Sequence, residues 1–76
     1  MYLAEFTYPG TFQLVNDLLI DASEAEAREF AQYHAMSWGV EVFSLVKASE
    51  QQIDLYRRMR KVVTLELSVA ALPRSA

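Results

Sequence analysis

"DASEAEAREFAQYHAMSWG", residues 21–39, is the stretch on which the fold turns. Ser23 stands where a helix N-cap is wanted, and Glu26 follows it at capping-box spacing. Glu24 and Glu26 complement the positive end of the helix dipole, and Glu24 can pair with Arg28 one turn on. Ala27, Phe30, Ala31, His34 and Trp38 recur on one face, and Gly39 is placed to stop the helix in a left-handed conformation.

Upstream, "MYLAEFTY" (1–8) alternates, with Tyr2, Ala4, Phe6 and Tyr8 on one side and Leu3, Glu5 and Thr7 on the other, which predicts a strand. Pro9-Gly10 marks a turn. "FQLVNDLLID" (12–21) reads as a second strand with Phe12, Leu14, Leu18 and Ile20 in phase and a bulge at Asn16–Asp17. A short helix through Phe12, Val15 and Leu19 fits the same residues almost as well.

Downstream, "VEVFSLVKA" (40–48) is apolar on both faces, Val40, Val42 and Val46 on one and Phe43 and Leu45 on the other. Such a strand is interior or covered by a partner. Ser49 and Gln52 form a second capping box, opening a helix over residues 50–61. "VVTLELSVA" (62–70) alternates again, with Val63, Leu65, Leu67 and Val69 inward. The expectation is one α+β domain over residues 1–72, in the order β-β-α-β-α-β. Its sheet is mostly antiparallel with the helices packed on one face, and residues 73–76 form a frayed tail.

A chain of 76 residues buries only about 60% of its unfolded surface, so its own core is marginal. Yet 53% of its residues are hydrophobic, more than a small core hides, which favours an interface with a copy of itself. The absence of cysteine excludes disulfides and thiolate metal sites. No basic flank with a long apolar run marks a signal peptide, and no apolar stretch approaches the roughly 20 residues of a membrane span, so a cytoplasmic location is expected. Residues 1–55 carry nine acids against Arg28 and Lys47, whereas residues 56–76 carry five bases against Glu66. Opposite patches of this kind can meet between two copies.

Catalytic and metal-binding signals are thin. His34, the single histidine, lies on the apolar face with Phe30 and Trp38 and lacks local partners for base or metal work. Asp17, Asp21, Glu24, Glu26 and Glu29 do not follow calcium-loop spacing, and capping and the helix dipole account for most of them. None of the serines sits in a nucleophile elbow, and the two glycines lie too far apart for a phosphate loop.

"YRRMRK" (56–61) is the one concentrated basic stretch. Arginines can fork onto phosphate and Tyr56 could stack on a base, but the domain as a whole is acidic. Basic residues at a helix C-terminus that also guard a strand from edge-on aggregation are the simpler account. An acidic protein partner or a nucleic acid, held by Tyr56, Arg57, Arg58, Arg60 and Lys61, are the alternatives.

The sequence therefore reads as a non-enzymatic protein-interaction module without cofactor or metal. It is expected to be a homo-oligomeric accessory or inhibitor-like protein of the kind bacteria and phages encode, bound to itself and to another protein. Phe43, Leu45, Tyr2, Phe6 and Tyr8 are the expected interface residues. A nucleic-acid-binding domain is the second reading. A small-molecule subunit with a pocket of Phe30, His34 and Trp38 is the third.

Overall fold

The computed structural model of the chain describes residues 1–65. Leu67, Val69 and the tail expected beyond them lie outside this range. Helix α1 (Glu24–Trp38) begins at the predicted capping box: Ser23 Oγ accepts from the Glu26 N–H at 3.2 Å, and the Glu26 carboxylate accepts from the Ser23 N–H at 3.3 Å. Glu24 and Arg28 pair at 2.9 Å on the exposed face, and Gly39 closes the helix at φ 69°. Ala27, Ala31 and Ala35, spaced one turn apart, are its buried centre. Methyl groups along that stripe let the helix lie close to the sheet.

Strand β1 (Tyr2–Thr7) is central, with β2 (Leu14–Asp21) and β3 (Glu41–Lys47) antiparallel on either side. Helix α2 (Glu50–Arg58) starts at the Ser49–Gln52 capping box and leads to β4 (Val62–Thr64), which runs parallel to β2. The sheet order is β3-β1-β2-β4, so the domain is α+β with a mostly antiparallel sheet in the expected element order. Residues 14–21 are strand, not helix, and the bulge lies at Val15, the extra residue between the Phe6–Asn16 and Thr7–Leu14 pairs.

A second bulge sits in β3, where Phe43 is extra between the Glu5–Ser44 and Phe6–Val42 pairs. One inserted residue reverses the side-chain phase beyond it. Val42 and Leu45, expected on opposite faces, thus both join the cluster beneath α1.

The helices do not share a face. Ala4, Phe6 and Ile20 pack with the alanine stripe of α1, while Leu3 and Leu19 pack with Tyr56, Ile53 and Val62 on the α2 side. The reason is in β1 and β2, which are apolar on both faces. A single helical layer would leave Leu3 and Leu19 in water, at about 1.5–3 kcal/mol each.

Helix α2 ends earlier than residue 61. Lys61 N–H donates to Tyr56 C=O at 2.9 Å and Arg60 N–H to Arg57 C=O at 3.1 Å, the paired bonds of a Schellman motif. Arg60 occupies its left-handed position at φ 59°, where glycine is the usual residue. A left-handed side chain costs about 1–2 kcal/mol, partly offset by the lower unfolded-state entropy of a non-glycine residue. Arg60→Gly should therefore raise stability by up to about 1 kcal/mol, read as a higher urea midpoint at unchanged slope; a lower midpoint would show that the Arg60 side chain contributes more than its backbone strain costs.

Candidate functional site

On the α2 face the sheet presents three cross-strand rows. The first is Val46–Leu3–Leu19, the second Ser44–Glu5–Asp17, and the third Glu41–Thr7–Leu14. Leu3 and Leu19 are buried in the α2 cluster. The second row is polar and brings two carboxylates, Glu5 and Asp17, directly opposite each other across β1 and β2. Like charges in that relation repel.

The two carboxylates are satisfied differently. Tyr56 Oη donates to Asp17 Oδ2 at 2.6 Å, and Lys61 Nζ donates to Asp17 Oδ1 as an ion pair. Lys61 Nζ also stands 5.7 Å from the centre of the Tyr56 ring. Glu5 has a neutral partner only, Ser44 Oγ at 2.8 Å, and no ion pair among the described residues. Burial alone would raise the Asp17 carboxyl, but the hydrogen bonds from Lys61 and Tyr56, with the Lys61 charge, outweigh it and hold Asp17 below its ordinary value. The Asp17 hydrogen bond, then burial and the charges of Asp17 and Glu5, push the Tyr56 hydroxyl up to about 12.

The basic stretch is thereby divided. Tyr56 is buried and so not free to stack on a base, and the Lys61 charge is already paired with Asp17. Arg57, Arg58 and Arg60 point to solvent and form no ion pair among the described residues. Asp17, expected at a bulge of the second strand, stands in the regular part of β2 opposite Glu5.

The expected interface residues also separate. Phe6 is fully buried, and Tyr2 and Leu45 are half-buried in the α1 cluster, so these three serve the fold. Tyr8 and Phe43 are half-exposed. Phe12 and Trp38, absent from the expected set, are 87% and 73% exposed. The Phe12 ring meets Phe43 edge-on at 6.1 Å, and the Gly10 N–H donates to the Glu41 carboxylate at 3.3 Å, so the β1–β2 hairpin tip leans on the start of β3. Gly39 and Val40 join that start to the end of α1, which brings Trp38 to the same end of the molecule.

His34 sits 4.8 Å from Phe6, 5.9 Å from Phe30 and 5.8 Å from Trp38, ring centre to ring centre. These are distances of packed aromatic rings, so the three residues read as a pocket form a stack. Among the described residues no group of three or more histidine or acidic side chains could hold a metal, and no helix is long and apolar enough to cross a membrane. Comparison with family models, with curated proteins and with solved structures gives no match.

The Asp17 cluster has a pH signature at both ends. A carboxyl lowered in the fold contributes stability above its unfolded value of 3.8, and that contribution is lost as pH falls through the folded value. A hydroxyl raised in the fold contributes fully below 10.0, and this is lost as pH climbs toward about 12. Tyr56→Phe should cost about 1 kcal/mol near neutrality and shed the alkaline loss specific to Tyr56. Asp17→Asn should weaken both limbs. Urea midpoints of the three proteins across acid and alkaline pH test this, and identical profiles would remove the cluster from the stability of the fold.

Proposed function

We propose that the chain is a non-catalytic protein-interaction module that assembles with itself and binds another protein through its aromatic end. The observation that carries this reading is the exposure of Phe12 and Trp38 beside the half-exposed Tyr8 and Phe43, all at the end where hairpin tip, α1 terminus and β3 start converge. Aromatic side chains are costly to leave in water and are enriched at the energetic centres of interfaces. The polar groups that would draw attention as chemistry have structural occupations. His34 is stacked among rings, Asp17 is held by Tyr56 and Lys61, and Ser23 and Ser49 cap helices.

One observation favours a second reading. Arg57, Arg58 and Arg60 cluster on the surface without acidic partners among the described residues, which keeps a nucleic-acid role open to test. Against it stand the inward-turned Tyr56 and Lys61 and an overall charge of −3.

A photo-crosslinking residue placed at Phe12 should, in cells that naturally make the protein, give a discrete protein adduct. The same residue at exposed Arg28 should not give it, and Trp38→Ser should reduce it. Adducts independent of position, or adducts with RNA or DNA alone, would defeat the reading. The purified protein should leave labelled RNA and DNA unshifted at physiological salt. A complex lost on replacing Arg57 and Arg58 by Gln, with a salt slope lowered by about 0.7–0.9 per lost contact, would promote the nucleic-acid role instead.

A further inference from the structure

Helix α2 covers only part of the sheet face on which it packs. Its buried residue is Tyr56, with Ile53 beside it, over Leu3 and Leu19 of the first row. Glu50, Asp54 and Arg57 lie on one flank and line an open hollow with Met1 and Ile53, so that flank looks toward the start of β1. By helical spacing Leu55 and Met59 lie on the other flank, one turn apart, with Arg58 between them in sequence. That flank borders the second and third rows. Both of its apolar residues are half-exposed, as are Leu14 in the third row and Phe43 at the bulge.

The charges of the two surfaces are opposite. Asp17 and Thr7 are already covered, but the rest of the second and third rows holds Glu5 and Glu41, neither ion-paired among the described residues, whereas the end of α2 holds Arg57, Arg58 and Arg60, equally unpaired. The helix is itself polar along its length, with Glu50 and Asp54 toward its start and Arg57 and Arg58 in its last turn. Its acids Glu50 and Asp54 lie on the flank turned to the start of β1, so the complementarity open to a second copy is between Arg58 of one α2 and Glu5 of the other sheet.

We infer that the accessible part of the second and third rows of the α2 face, at Glu5, Glu41 and Leu14, is the seat of a second copy of this chain. The α2 helices lie antiparallel, Leu55 and Met59 of each copy meet those of the other and the Leu14–Phe43 surface, and Arg58 of each reaches Glu5 of the other. This rests on the self-assembly part of the proposed function and names its surface. The free edge of β3 is the competing route. Residues 41–47, "EVFSLVK", look self-complementary about Ser44, with Glu41 opposite Lys47. The bulge defeats that pairing. Glu41 lies opposite Thr7 and Lys47 opposite Tyr2, five residues apart in β1, so the two charges project from opposite faces of the sheet. Bulges and terminal charges are the usual means of blocking edge-to-edge pairing.

Sedimentation equilibrium of the full chain across micromolar concentrations tests the inference, with circular dichroism and thermal melts as controls for folding. The wild type should be a dimer that weakens as salt rises. Leu55→Glu should give a folded monomer. Glu5→Arg and Arg58→Glu should each weaken the dimer by about tenfold or more, and the two together should recover most of the loss. A dimer indifferent to all three variants, or a charge swap that restores nothing, overturns this surface and leaves self-assembly standing. A wild-type monomer at every concentration overturns both, while a Phe12 adduct to a protein other than this chain judges partner binding separately.

Discussion

The Asp17 carboxylate is the point through which the α2 side of the domain is organised. It stands in β2 and accepts from Tyr56 on α2 and from Lys61 in the turn that follows. The Lys61 carbonyl in turn accepts the Leu19 N–H at 2.9 Å, the bond that opens the parallel pairing of β2 with β4. A helix of nine residues has little stability of its own. Burial of Tyr56 and Ile53 holds it to the sheet without direction, and the two hydrogen bonds to one carboxylate set its angle and register. The Schellman turn at Arg60 belongs to the same device, because it folds Lys61 back beside Tyr56. Lys61 also neutralises one member of the Glu5–Asp17 pair, which makes a cross-strand carboxylate pair tolerable in the middle of a sheet.

The two bulges act on the opposite end. Val15 and Phe43 are inserted on either side of β1 at nearly the same level, beside Phe6. Bulges increase local twist and re-aim side chains. Their position separates a regular half of the sheet, where Leu3 and Leu19 meet α2, from an irregular half that carries the aromatic tip. They also account for the phase of β3, in which Val42 and Leu45 both serve the α1 cluster, and for the failure of its edge to pair with itself.

Local signals were legible in the sequence. Both capping boxes, Gly39 as helix stop, the Pro9-Gly10 turn and the element order require only neighbours a few residues apart. What the sequence could not disclose depends on long-range contacts. Tyr56 and Lys61 are five positions apart and on no common helix face, so their shared task exists only once Asp17, some forty positions upstream, lies between them. The bulge at Phe43 is silent because apolar residues occupy both phases of β3. The opposed helices were within reach: Leu18, Leu19 and Ile20 in succession already imply cover on both faces. Phe12 and Trp38 followed the apolar pattern of their elements and still point to water, since pattern states what a residue prefers and the ends of elements decide what it receives.

The two faces of the sheet then differ in a way that bears on assembly. The α1 face is covered by fifteen residues of helix, and its centre is sealed by Ala27, Ala31 and Ala35 against Ala4, Phe6 and Ile20. The α2 face has a shorter helix, packed over the first row and anchored at Asp17 of the second, which leaves Glu5 partly exposed and Glu41 and Leu14 exposed. The Schellman turn ends the helix at the cost of a strained arginine. The partly covered second row also carries Glu5, whose carboxylate is half-buried with a hydroxyl as its partner. A surface that is apolar at Leu14 and Phe43 and anionic at Glu5 is poorly matched to water and well matched to an apolar helix flank bearing a cation. The chain's own α2, with Leu55, Arg58 and Met59, has that composition.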